Sequence, residues 1–190
     1  MITFIDGSLP ITISVIVSIP IAFIVQSFPK KILAILFSLY VGCLLAVTIF
    51  PIPLGYDAEL NTFGIQQNLE LIPFRPTIEL ISESPWTIAL KNVGGNLVLL
   101  SPLGIFLPKL FRISQFKNVL VIGILVSLAI EFTQFVTLVL LNTQRVISID
   151  DTILNTLGVC LAYSIFRTLL PKDITSSQLN VQTDMPPAAE

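Results

Sequence analysis

The chain has 190 residues, of which 54% are hydrophobic and only 12% charged, with a net charge of −2. A soluble domain carries roughly 25% charged residues, so a water-facing surface is not built from this composition and a polytopic membrane protein is expected. The ten Lys and Arg residues are scattered and there is no His, which argues against nucleic acid as a partner and removes the commonest metal ligand and neutral-pH base.

The first apolar run, LPITISVIVSIPIAFIVQSF, extends from Leu9 to Phe28. Asp6 is the only charge before it and no small-x-small cleavage site follows, so it reads as a retained span rather than a signal peptide. Pro10 and Pro20 are better tolerated in a membrane helix than in a soluble one. The second run, Ile32 to Phe50, follows after Pro29, Lys30 and Lys31, and the two are expected to form a tight membrane hairpin. Cys43 in this run and Cys160 near the end of the chain sit in apolar surroundings and read as small hydrophobes.

A polar stretch then carries Asp57, Glu59, Glu70, Arg75, Glu79 and Glu83. The third run, TIALKNVGGNLVLLSPLGIFLPKL, is interrupted by Lys91, Asn92, Asn96 and Pro102, which is not the composition of a plain lipid-facing anchor. The fourth, Asn118 to Leu141, holds one formal charge, Glu131, with Gln134 one turn further on. The fifth is IDDTILNTLGVCLAYSIFRTLL, whose polar residues crowd at its start. Each run approaches the about 20 residues that a membrane helix needs.

The expected architecture is therefore all-α, a polytopic transmembrane helix bundle of about five spans. Residues 1–51 form a two-helix hairpin, 52–88 an extracytoplasmic loop, 89–171 a core of three spans, and 172–190 a disordered cytoplasmic tail. Lys30 and Lys31, then Lys109, Arg112 and Lys117, then Arg167 and Lys172 all fall on one side of such a bundle. Basic residues favour cytoplasmic loops, so the N-terminus is expected outside and the C-terminus inside.

With that orientation, Asn92, Asn96, Glu131, Gln134, Arg145, Asp150, Asp151 and Asn155 all fall in the outer half of three consecutive spans or the loop joining them. Ionisable residues inside membrane spans usually face the bundle interior or a cavity and mark function. Glu131 and Asp151 are candidate acid/base groups. Arg145, with Arg75 or Lys91, suits a phosphate or carboxylate through charge-assisted hydrogen bonds. Asn92, Asn96, Gln134, Asn155 and Asp150 complete the candidate ligand-binding set. Against this stand structural readings: Asp150 and Asp151 as helix caps, Asn96 and Asn155 as interhelical hydrogen bonders, and Glu131 as a packing residue. Gly94, Gly95, Gly104, Gly123 and Gly158 read as close helix contacts. No cofactor is predicted, although two or three carboxylates with asparagine also suit Mg²⁺ or Ca²⁺. No Ser-His-Asp arrangement or Cys/His set occurs, so the residues leave open whether the protein is an enzyme.

Four stretches carry a family resemblance: NLELIPFRP (Asn68–Pro76), KNVGGNLVLLSPLGIFLP (Lys91–Pro108), SLAIEFTQ (Ser127–Gln134) and RVISIDDTILNTLG (Arg145–Gly158). In this order and spacing they resemble the VanZ-like family of bacterial membrane proteins, named after an accessory protein of glycopeptide-resistance clusters. The resemblance covers about residues 68–163. It implies a multi-pass protein of the bacterial plasma membrane, with recurrent polar positions at Asn92, Asn96, Glu131, Gln134, Arg145, Asp151 and Asn155. Ser148 stands where the family often has an acid, and Ala162 where it often has glycine. The leading functional expectation is an outer-facing polar pocket that binds or modifies an anionic cell-envelope lipid or cell-wall precursor, with membrane lipids as partners. The alternatives are a non-catalytic assembly or interaction protein and a small transporter.

Overall fold

The computed structural model describes residues 4–25, 27–50, 52–53, 69–141 and 146–169. A two-residue strand, β1 (Phe4–Ile5), precedes helix α1 (Ser8–Ile24), and α2 (Phe28–Thr48) is followed by β2 (Ile52–Pro53). After β3 (Leu69–Glu70) comes a short helix, α3 (Arg75–Glu83). Helices α4 (Trp86–Leu99) and α5 (Ser101–Leu110) follow with one residue between them, then α6 (Phe116–Leu141), β4 (Ile147–Ser148) and α7 (Ile149–Leu169). The molecule is a helical bundle, and among the described residues four two-residue strands pair as β1–β2 and β3–β4.

Among the described residues four helical segments are long and apolar enough to cross a membrane: Phe28–Thr48, Trp86–Leu110, Phe116–Leu140 and Ile149–Leu169. The run from Leu9 to Phe28 becomes a helix of 17 residues, about 25 Å at 1.5 Å per residue against a hydrocarbon core of about 30 Å. It is shorter than its apolar run because Pro29 fits the first turn of a new helix. Phe28 thereby joins α2 instead of α1. The described residues between the second and third runs contribute β2, β3 and α3. The segments 54–68 and 142–145, which include Arg145, and the tail from 170 onward lie outside the described residues.

Helices α1 and α2 run antiparallel, and β1 continues the hairpin by pairing antiparallel with β2. Their crossing is close because a small residue sits at it: a Cβ on Gly42 would overlap the Ser14 side chain and stand 2.9 Å from the Pro10 carbonyl oxygen. The Ser38 hydroxyl donates to the Ser14 carbonyl at 3.0 Å across the same crossing. Such small-residue contacts are how membrane helices gain van der Waals packing where lipid removes the hydrophobic drive between them.

The break between α4 and α5 follows from Pro102. Proline has no N–H to give the carbonyl four residues earlier, and its ring crowds that turn. The Leu103 amide bonds the Leu100 carbonyl at 3.0 Å, so the Leu99 carbonyl loses its helical donor. Tyr40 of α2 supplies one, its hydroxyl donating to the Leu99 oxygen at 3.1 Å. Below it Phe37 meets the Phe106 and Phe111 rings edge-on, both at 5.2 Å. An apolar core of Leu100, Leu103, Leu107, Val119, Val159 and Tyr163 joins α4–α7.

Helix α7 is the hub. It lies antiparallel to α6 and parallel to α4 and α5, so the start of α7, the start of α4 and the later part of α6 share one end of the bundle. The opposite end collects the basic residues: Lys109 of α5 lies over the Phe166 ring of α7 at 5.1 Å, and Lys30, Lys31, Arg112, Lys117 and Arg167 occupy the same end by the chain path.

Candidate functional site

The facing residues of α6 and α7 form a ladder with a four-residue step on each helix. Gly123 packs against Val159, Ser127 accepts a hydrogen bond from the Asn155 amide at 3.2 Å, and Glu131 is close enough to Asp151 for their charges to interact. Four residues are slightly more than one helical turn, so these positions keep to one face. In antiparallel helices, each upward step on α6 meets a downward step on α7. The chain order thus carries Glu131 to Asp151 once Ser127 meets Asn155.

Helix α4 closes the third side. The Asn96 amide donates to Asp151 Oδ1. About two turns further along α7, α4 and α7 nearly touch: a Cβ on Gly158 would overlap the Leu97 carbonyl, and the Ser101 hydroxyl shares its proton between Leu97 and Gly158 carbonyls at 2.7 and 3.3 Å. Gly104 lies against the α7 backbone, 2.8 Å from the Tyr163 nitrogen and 3.2 Å from Ala162 by the same measure. Glycine on α5 therefore provides the clearance there, and Ala162 on α7 fits without being glycine. Gly95 has open space around it and is not a helix contact.

The start of α7 is fixed twice. Ser148 Oγ accepts the Asp150 amide at 3.2 Å, a cap at the helix N-terminus. Ser148 does this as a neutral residue where the resemblance suggests an acid. Asp150 itself is buried and does not face the Glu131–Asp151 pair with a free oxygen. Its Oδ1 accepts the Phe74 amide at 2.6 Å, and its Oδ2 accepts the Thr77 amide and hydroxyl at 3.2 and 2.5 Å. Asp150 therefore caps α3 from another helix, while β3 pairs parallel with β4 through Leu69 and Ile147. This seats the 69–83 segment directly over the start of α7.

The sequence-derived set is thus divided. Glu131, Asp151, Asn96 and Asn155 converge. Gln134 turns to α2, where its amide donates to the Thr48 carbonyl at 2.8 Å. Asn92 is exposed on α4, and Arg75 is exposed and paired with Glu79 at 2.8 Å. Arg145 falls outside the described residues. Ser127, Thr77 and Thr48 were not singled out from the sequence. Ser127 was legible in principle, standing four residues before Glu131 as Asn155 stands four after Asp151; Thr77 and the Thr48 carbonyl carry no such signal.

Two members of the converging set keep unused hydrogen-bonding capacity. Glu131 is 7% exposed and Asn155 1%. The Ser148 backbone amide donates to the Glu131 carboxyl, yet Glu131 Oε2 and Asn155 Oδ1 have no partner among the described residues, nor does the buried Thr156 hydroxyl. Buried acceptors normally have partners, because an unmet one costs about 1–3 kcal/mol. Both Glu131 Oε2 and Asn155 Oδ1 call for a donor: a hydroxyl, an amine or a cation. Among the described residues no three acidic side chains converge as a metal-binding group. Asp150 is committed to α3, so only two carboxylates are left facing each other.

A model of the VanZ/LLP1 family matches residues 37–170, more than half of the 190-residue chain. The chain belongs to this family. The VanZ/LLP1 match extends the resemblance seen in residues 68–163 back to Phe37, thus taking in the face of α2 that packs on α5, and it leaves out α1. The VanZ/LLP1 membership and the four apolar helices agree on a membrane protein. Neither the curated proteins nor the solved structures yield a match.

Proposed function

We propose that this VanZ/LLP1 protein resides in the bacterial plasma membrane and binds or modifies an anionic cell-envelope lipid or cell-wall precursor at the polar end of its helical core, on the extracytoplasmic side. The observation that carries the reading is the pair of buried acceptors, Glu131 Oε2 and Asn155 Oδ1, which have no partner among the described residues, beside Asp151. Envelope precursors and lipid head groups combine hydroxyl or amino donors with phosphate or carboxylate. In this reading Glu131 and Asn155 take up the donors, and Asp151, held by Asn96, shares acid/base work with Glu131. Arg145 addresses the anionic part, with Asn92 and Arg75 at the rim. The basic residues at the opposite end support the outward direction of the site.

The test compares cells producing equal folded amounts of the wild type, Glu131→Gln, Asn155→Ala and Arg145→Ala proteins, measuring pools of envelope lipids and cell-wall precursors. Altered pools in the variants support the proposal; pools identical to wild type in all three overturn it.

A non-catalytic assembly role has its own supporting observations, since Asp150 and Gln134 use their polar groups to join elements. On that reading Glu131→Gln lowers folded yield and thermal stability without a specific change in any precursor. A transporter fits less well. The core toward the basic end is Leu103, Leu107, Val119, Val159 and Tyr163, and a solute path requires polar or wettable lining.

A further inference from the structure

Helix α3 presents three distinct stripes. Thr77 and Leu80 are half-buried against the bundle, with Thr77 bound to Asp150. Arg75, Glu79 and Glu83 form a charged, exposed stripe, the first two joined as an ion pair. Between these, Phe74, Ile78 and Ile81 follow the i, i+4, i+7 spacing of one helical face, and they are 56%, 61% and 59% exposed. Leu71 and Ile72, just before the helix, are exposed as well.

A small helix with bare isoleucines would be a solubility defect in water, but α3 is not simply facing water. It is tied by Asp150 to the first turn of α7, at the end of helices whose own apolar surfaces run through the membrane. Its position is therefore that of the membrane–water boundary. There an amphipathic helix lies in the plane with its apolar face among the acyl chains and its charges in the head-group water. The backbone supports the same outward presentation. Phe74 adopts φ 65°, a region that bulky residues avoid, and its amide is held in that geometry by Asp150.

We propose that α3 is an interfacial membrane anchor, with Phe74, Ile78 and Ile81 inserted into the lipid of the leaflet next to the polar end and Arg75, Glu79 and Glu83 turned to water. The occupant of the apolar stripe is lipid, not a second protein, because α3 is tied to the start of a helix long and apolar enough to cross a membrane and a charged stripe borders the apolar one on its other side. This inference is independent of what binds between Glu131 and Asp151. Its consequence for the molecule is that α3 roofs the start of α7 at the lipid surface.

The protein has a single tryptophan, Trp86, which makes the test direct. Trp86→Phe provides a background free of tryptophan, and Ile78→Trp and Glu79→Trp then place one reporter on the apolar or the charged stripe. Each full-length protein is reconstituted into phosphatidylcholine vesicles carrying acyl-chain bromines near the head group, and quenching is compared with that by aqueous iodide. The ratio of lipid to iodide quenching should be severalfold higher for Ile78→Trp than for Glu79→Trp. Equal ratios would overturn the proposal, as would an Ile78→Trp reporter shielded from both quenchers, which would mean that protein covers the stripe. Ile81→Trp provides a second apolar position if the Ile78 variant does not fold, and must give the same high ratio.

Discussion

Asp150 and Phe74 are 76 positions apart in the chain, yet the carboxylate of one holds the backbone amide of the other at 2.6 Å. Together with the Thr77 bonds, this contact couples the start of α7 to α3. Asp150→Ala removes a charged acceptor from three donors. It is expected to cost about 2 kcal/mol or more, given typical values for caps and for hydrogen bonds to charged groups. Thermal unfolding in detergent will show the loss, and hydrogen exchange will show the amides of α3 opening first. Thr77→Val, which keeps the amide bonds, should cost less.

The crossing of α4 and α7 has no room for a side chain at Gly158, whose added Cβ would overlap the Leu97 carbonyl. Gly158→Ala is expected to push the helices apart and destabilise the bundle by about 1–3 kcal/mol, the usual cost of overpacking. Gly95→Ala on the same helix pair meets open space. It should be neutral or slightly stabilising, because alanine favours helix by up to about 1 kcal/mol. Folded yield and melting temperature of the two variants, measured side by side, check the contrast.

Tyr40 provides the donor that the Leu99 carbonyl loses when the Leu103 amide turns to Leu100 at the α4–α5 junction. Tyr40→Phe keeps the ring packing and removes only the hydroxyl bonded to Leu99. In a region with little water to replace it, the loss should be about 1–3 kcal/mol, the penalty of leaving a buried acceptor unmet. Unfolding midpoints of Tyr40→Phe and wild type in the same detergent decide it.

Asn96 and Asp151 act as one unit in which the amide orients the carboxylate. A double-mutant cycle of Asn96→Ala and Asp151→Asn should therefore be non-additive, with a coupling of about 0.5–3 kcal/mol. Asn92→Ala combined with Asp151→Asn should be additive, because Asn92 is exposed and lacks a side-chain partner among the described residues.

At the start of α1, Asp6 is held below its ordinary carboxylate value of 3.8 by hydrogen bonds first from the Ser8 side chain and then from the Ser8 amide. A lowered folded value means that the contribution is complete above the unfolded value and disappears as pH falls through the folded one. Acidification below the ordinary carboxylate range should therefore fray the first turn of α1, and Asp6→Asn should remove that acid sensitivity. Amide exchange at residues 8–12 as a function of pH measures both.

Much of this protein is determined by the sequence alone. Twenty-residue apolar runs with few charges dictate helices in lipid, because backbone groups there must bond within their own segment. The concentration of most Lys and Arg residues at one end, and of Asn96, Glu131, Asp151 and Asn155 at the other, follows from their positions along successive spans with short connections. Only the tertiary structure decided how those polar residues divide the work. Asp150 and Asp151 are adjacent in sequence, but the 100° turn between neighbouring helical residues directs one to α3 and the other to Asn96 and Glu131. Gln134 stands one turn from Glu131 and reaches a different helix for the same reason. The seat of α3 was likewise hidden: its cap comes from a carboxylate far along the chain, and no local pattern around Phe74 records a partner that packing alone brings to it.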